Sequence, residues 1–494
     1  MRFTLLVVVT ALSLLAGPRY NPGVYTVRDI WVDPAFGDDA RNGSSRATAL
    51  RTVRAAWGRV PADTSSANTG FRLLLAPGTY DDENLPRYWE LKRGTATYPI
   101  IVAAADGPGT ARIAQINGAN LAYFYLQGIR IEGEYAGGDL VHFENSDHLW
   151  LSKLTLTGVG DVRDYGGPQE VLKVNQSTQV YVEDSDLSGG WDQALDFVAV
   201  RYGHVSGNRF HRAGDWCVYV KGGSAYLRIE DNEIYDCGNG GFTAGQGTGL
   251  EFMQEPWVHY EAYDVQFVNN LVHDTDGAGF GTNGGYNILL AWNTLVRVGR
   301  LSHAIEVGFG ERSCDGNLVR CQELLNLGAW GTINPDVPEL IPSRNVYIYN
   351  NLVYNPAPYR SEWQHLAIAG PRERFANIRL AGNWIWNGPA DLDLGAEDLD
   401  PTLLRSENSI NTVEPALDPD FHLRSLPPAV LTVPIPPFPG GDRPSFPPTP
   451  EGELSPPTGH QTGDPPGQFH GFVTFVKETA SPLATCHDNC SFSR

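Results

Sequence analysis

Asp192 and Asp196 stand four residues apart, the first in a Gly/Trp turn and the second inside the alternating run Leu195-Asp196-Phe197-Val198. Their carboxylates can converge on one hard cation such as calcium. Glu170 and Lys173 hold similar places one repeat earlier, and Asp215, Tyr219 and Lys221 one repeat later. The set suits removal of a proton next to a carboxylate. A cation on the carboxylate of a uronic acid makes the C5 proton removable, a lysine takes it, and the glycosidic bond then breaks by elimination. On this reading Glu170, Asp192 and Asp196 are the calcium ligands, and Lys221, Lys173, Tyr219 and Glu251 do the proton chemistry. The same carboxylates admit hydrolysis, with Asp196 and either Glu251 or Glu306 as the acid/base pair. A third reading is a non-catalytic face that holds glycans.

These residues need a scaffold that repeats. Leu195-Asp196-Phe197-Val198 aligns with Val218-Tyr219-Val220-Lys221, and Val205-Ser206-Gly207-Asn208 with Ile229-Glu230-Asp231-Asn232, a period of about two dozen residues. The frame runs back through Leu172-Lys173-Val174-Asn175 and Val141-His142-Phe143-Glu144. Forward it continues through Leu250-Glu251-Phe252-Met253, Phe280-Gly281-Thr282-Asn283 and Ile305-Glu306-Val307-Gly308. Alternation with period two means strand, and short strands without helical periodicity predict the coils of a right-handed parallel β-helix, an all-β solenoid. Each repeat ends in a slot filled by Ser185, Asn208, Asn232, Asn270, Asn293, Asn351 or Asn383, with Ile129 and Leu154 at the irregular start, so the ladder is not complete. Asn there is expected to take the left-handed corner and to bond to the same amide one coil on.

Leu195, Phe197, Val220 and Phe252 are predicted to fill the core. One outward column then holds His142, Lys173, Asp196, Tyr219, Glu251, Gly281 and Glu306, all facing solvent. Long irregular segments at 158–169, 254–263 and 308–343 are the expected cleft walls. Trp191, Trp216, Trp257, Trp330 and Trp363 lie in or beside loops, where a ring can stack on a pyranose or simply pack. A helix around Leu50, Val53 and Trp57, capped by Thr48 and stopped by Gly58, is expected to cover the N-terminal end.

The chain has 494 residues and a net charge of −21, which argues against nucleic acid as a partner. Residues 1–17 carry Arg2 and an apolar run from Leu5 to Leu15, the pattern of a signal peptide too short to span a bilayer. Six cysteines agree with an oxidising compartment, with the pairing left open. Residues 28–425 are expected to form one elongated domain acting as a secreted monomer on a polysaccharide. Beyond, 14 of the 35 prolines fall between Pro427 and Pro466, so 426–494 reads as a stiff linker with a short tail. Gly279–Gly284 fits G-x-G-x-x-G but opens no helix, which excludes a dinucleotide site.

The opening, from Val32-Asp33 through Asp38-Asp39-Ala40-Arg41-Asn42-Gly43 to Leu75-Ala76-Pro77-Gly78-Thr79-Tyr80, resembles the start of secreted parallel β-helix proteins of the pectate-lyase-like superfamily. The resemblance spans residues 28–425 and implies an extracellular, carbohydrate-facing protein. Trp191-Asp192-Gln193-Ala194-Leu195-Asp196 further resembles the clustered-Asp segment of polysaccharide lyase family 9, with Gln193 where that family has another Asp. This likeness implies a calcium-dependent lyase with Asp192 and Asp196 as ligands and Lys221 as base.

Overall fold

The computed structural model describes residues 19–433 apart from 134–137, 369–374, 390, 397, 398, 426, 428, 429, 431 and 432. The expected signal peptide and nearly all of the Pro-rich tail lie outside the described residues. Three long parallel sheets of ten, twelve and twelve strands run side by side, and each coil contributes one short strand to each. The architecture is a right-handed parallel β-helix. The ten-stranded sheet, here sheet I, carries the columns that matter for chemistry; it includes Val141–Glu144, Leu172–Asn175, Leu195–Val198 and Trp216–Lys221.

Register follows the alternation. Leu195 pairs with Val218 and Phe197 with Val220, and the next rung supplies Phe242 and Ala244. All six are fully buried, each large one contributing about 1.5–3 kcal/mol of hydrophobic stabilisation. Phe252 is not among them. The strand of its coil is Gly240–Ala244, whereas Leu250–Phe252 forms a 3-10 turn that leaves Phe252 39% exposed. Leu250 and Met253 pack instead in a satellite core with Cys314, Cys321 and Leu324. The G-x-G-x-x-G stretch falls mostly in the strand Ala278–Asn283.

The asparagine column forms as expected from Asn208 onward. Asn208, Asn232, Asn270, Asn293 and Asn351 each donate a backbone N–H to the Oδ1 of the next member, at 2.9–3.0 Å. The column continues through Asn383 to Asn408. The left-handed conformation falls one residue earlier than predicted, on Asp184, Gly207, Asp231, Asn269, Trp292, Asn350 and Gly382. The slot residue can then turn its amide inward along the stack while its neighbour makes the corner. Asn270→Ala strands the buried Asn232 N–H and is expected to cost roughly 1–3 kcal/mol, measured by chemical unfolding; the exposed Asn269→Ala change alters no slot amide.

A helix α1 occupies Val53–Gly58, and its N-cap is Thr52, which accepts from Ala55 N–H, rather than Thr48. Trp57 packs on Trp89 and Phe124 in the first coils. The insertion at 308–343 contains helix α2, Leu318–Asn326, and a small antiparallel pair, Gly310–Arg312 with Glu339–Ile341. Disulfides join Cys217 to Cys237 and Cys314 to Cys321. Among the described residues no helix is long and apolar enough to cross a membrane.

Candidate functional site

Sheet I forms the floor of a cleft of about 2810 Å³, well beyond the roughly 300–1,000 Å³ of a small-ligand pocket. One wall is the 158–169 insertion with Asp161, Arg163 and Tyr165; the other combines residues 246–252 with Ser313–Val319. The 254–263 segment, an expected wall, does not line this cleft. Trp191 and Trp216 do line it, and Trp191 meets Tyr165 edge-on at 5.1 Å. Trp257, Trp330 and Trp363 do not; Trp257 donates to Leu327 O and Trp330 packs on His259.

The floor column reads His142, Lys173, Asp196, Tyr219, Thr243, Gly281, Glu306 on successive strands. Thr243 stands where Glu251 was expected. Glu251 braces the opposite wall, accepting from Asp315 N–H and Asn317 N–H at 2.9 Å each. The column points out of the barrel yet not into bulk water: Asp196 is 0% and Tyr219 1% exposed, because the walls rise over it.

Burial sorts these groups into fixed charges and held protons. Lys173 Nζ lies 2.6 Å from Glu170 Oε1 and 3.4 Å from Asp196 Oδ2. Burial alone would lower its pKa, but Glu170, Asp196 and Asp139 hold it well above the lysine range, so Lys173 is a fixed cation rather than a base. Glu170 is pushed well above the carboxylate range, chiefly by burial, and keeps a proton that it shares with Asp139. Asp139 is held low: burial would raise it, but hydrogen bonds from Glu170 and His142 outweigh that. Asp139 was not foreseen, although Asp139/His142 repeats the spacing of Glu170/Lys173 one coil earlier. Lys221 Nζ donates to Gln246 Oε1 at 3.2 Å, sits 3.8 Å from Asp196 Oδ2 and lies 4.5 Å from the Tyr219 ring centroid.

At the edge of the floor, one corner of the solenoid stacks Asp192, Asp215 and Asn239 on consecutive coils. Asp215 N–H donates to Asp192 O at 3.0 Å and Asn239 N–H to Asp215 O at 3.1 Å. The Cys217–Cys237 disulfide closes the coil between Asp215 and Asn239. The Asp192 carboxyl is raised to about 7, by burial first and then by the charge of Asp215, with Lys221 opposing. Asp215 is held as an acceptor: the Tyr219 hydroxyl donates to its Oδ2 at 3.1 Å and the Asn239 amide to its Oδ1. Burial, Asp215 and Asp192 keep the Tyr219 phenol protonated. The Gln193 amide lies between the two acids, donating to Asp192 Oδ1 and, at 3.4 Å, to Asp215 Oδ2.

Glu170, Asp192 and Asp196 do not assemble a calcium cage in this structure. Among the described residues, the only groups of three or more His, Cys, Asp or Glu with ligand atoms within 4.8 Å of one another are Glu251 with Cys314 and Cys321, and Asp418 with Asp420 and His422. Both Asp196 oxygens lack a hydrogen bond, but the ammonium groups of Lys173 and Lys221 stand where a cation would bind. The Asp192 oxygens accept amide N–H groups from Gln193 and Gln169.

The fold is a right-handed parallel β-helix. The model of the right handed beta helix region matches residues 117–319. No curated protein matches the chain. Solved structures similar to it include pectate lyase Pel9A, at 14% identity and TM-score 0.45 over 82% of this chain and 92% of that one. A rhamnogalacturonan lyase has 12% identity and TM-score 0.31 over 72% and 87%. The GH136 lacto-N-biosidase from Eubacterium ramulus has 12% identity and TM-score 0.29 over 57% and 65%. These likenesses carry no argument about the reaction.

Proposed function

We propose that this protein is a secreted carbohydrate-active enzyme that hydrolyses glycosidic bonds, with Asp192 as general acid and Asp215 as its nucleophilic partner. The observation that carries the reading is the pair itself: two carboxyls on adjacent rungs whose surroundings make one a proton holder near neutrality and the other an acceptor. Rungs roughly 4.8 Å apart suit the about 5–5.5 Å spacing of retaining enzymes, in which Asp215 attacks the anomeric carbon while Asp192 protonates the leaving oxygen. Water then releases the sugar with Asp192 acting as base. Tyr219, Asn239 and Gln193 orient the pair.

Calcium-assisted elimination on uronic acid polymers remains the reading that the sequence favours, and the cleft's charge weighs against it. The lining holds fourteen Asp and Glu against four Lys and Arg, a field that repels a polyuronate unless cations bridge the two. Secretion is supported by the two disulfides. A screen of neutral, anionic and amino polysaccharides tests the proposal. Hydrolysis is expected to give new reducing ends of retained configuration, no ultraviolet-absorbing unsaturated product, and a rate unchanged by a chelator. Unsaturated product whose formation a chelator abolishes would establish the lyase instead.

A further inference from the structure

Resting on that reading of the site, we infer that the substrate is a glycan carrying free amino groups, a polymer of hexosamine units that are ammonium ions at neutral pH. Part of the lining's excess of acids is met from outside it, Asp274 by Arg297, Asp276 by Arg300 and Glu306 by His303, whereas Glu144, Asp236, Glu311 and Asp315 make no ion pair among the described residues. Lys173 and Lys221 are already committed to Glu170, Asp196 and Gln246, and Arg212 donates to Gly158 O and Gly160 O in the wall. Even with protons on Glu170 and Asp192, acids outnumber Lys and Arg in the lining as a whole, and the 158–169 wall with Asp161 and Arg163 is the side where they do not.

A second observation points to a ligand rather than to a merely acidic surface. Gln193 Oε1 and Asp196 Oδ1 are buried acceptors without a hydrogen-bond partner, whereas the Lys173 and Lys221 ammonium groups lie against Asp196 Oδ2. They belong to side chains 0–1% exposed that line this cleft. Such acceptors call for N–H or O–H donors, and an amino sugar brings three on its ammonium group beside its hydroxyls. Charge complementarity selects against uronic acids and, less strongly, against N-acetylated sugars, which lack the positive charge. Trp191 and Tyr165 at the rim present apolar faces for the pyranose rings.

The test uses the full chain as Asp192→Asn, which is isosteric with the protonated acid, and measures binding by calorimetry to soluble oligomers of glucosamine, of N-acetylglucosamine and of galacturonate. The glucosamine oligomer is expected to bind at least about tenfold tighter than the acetylated one, with affinity falling as salt rises. Adding Asp236→Asn and Glu311→Gln, two exposed acids of the lining, is expected to weaken binding severalfold. Neutralising Asp81 and Glu83, which lie outside the lining, is expected to leave it unchanged. Equal affinity for the acetylated or anionic oligomer, an equal effect of the two pairs, or equally tight binding of a lysine oligomer overturns the inference. Tight, cleft-dependent binding of the amino oligomer with no cleavage by the unsubstituted protein leaves the substrate class standing and removes the hydrolase reading. Cleavage of neutral glycans alone does the reverse.

Discussion

Asp192→Asn is expected to lower kcat by about 10²–10⁴-fold, the contribution of a positioned general acid, while the protein becomes more stable at neutral pH. The two effects share one cause. Asp192 holds its proton to about pH 7 in the folded protein, whereas in the unfolded chain it ionises near 3.8, so between those values the native state binds the extra proton. Stability therefore falls as pH rises through that window, and the amide removes the penalty. For a half-buried group the gain at pH 7 to 8 is on the order of 1 kcal/mol after discounting for solvent. On the proposed mechanism, activity of the unsubstituted protein should decline above about pH 7 as the acid form is lost. Asp215→Asn is expected to lose as much activity and, by removing the neighbouring charge, to bring the Asp192 carboxyl down. Thermal melts from pH 4 to 8 beside a pH–rate profile check this. A fall in kcat with a melting curve that shifts down at every pH would mean that the corner is only structural.

Arg312→Ala is expected to cost roughly 3–5 kcal/mol, the penalty for leaving a buried charge without its partner. Arg312 and Glu261 are both 0% exposed and pair at 2.6 Å. The guanidinium also donates to Tyr260 O, while the other Glu261 oxygen accepts from Gly222 N–H and the Thr248 hydroxyl. One pair thus ties the 308–343 insertion to the coil that follows Lys221 and to the 246–252 wall. Arg312→Met combined with Glu261→Gln, which keeps an acceptor for Gly222 and Thr248, should recover much of the loss. Urea unfolding with limited proteolysis of the insertion checks both: the single variant should be cut within 308–343 faster than the double. Equal stability of Arg312→Ala and the unsubstituted protein would show that the wall is held by its disulfide and Glu251 alone.

Where the alternation was strong, the register could be read directly: Lys173, Asp196 and Tyr219 share a column because period two admits only two faces. It failed at Glu251 for a physical reason. The true strand, Gly240-Gly241-Phe242-Thr243-Ala244, is rich in glycine and carries little alternation, while Leu250-Glu251-Phe252-Met253 in the neighbouring insertion imitates a strand and buries two of its four residues in a satellite core. Asp139 was legible in principle, since it stands three residues before His142 as Glu170 stands before Lys173. The cap of α1 slipped by one turn because Thr48 and Thr52 both precede apolar residues, and only Thr52 meets a free helical N–H.

The sequence by itself determined the coil length, the faces of the strands and the asparagine column, because these follow from periodicities that local sterics and pairing enforce. Only the tertiary structure decided the chemistry of the carboxyls. Asp192 and Glu170 are ordinary carboxyls by residue type; that they hold protons depends on how deeply the walls bury them and on which charges lie near. Some of those charges are close in sequence, as Lys173 is to Glu170, but others come from rungs more than 20 residues away, as Asp215 does to Asp192 and Asp139 to Glu170, and an ionisation state is set by distance in space rather than by spacing along the chain.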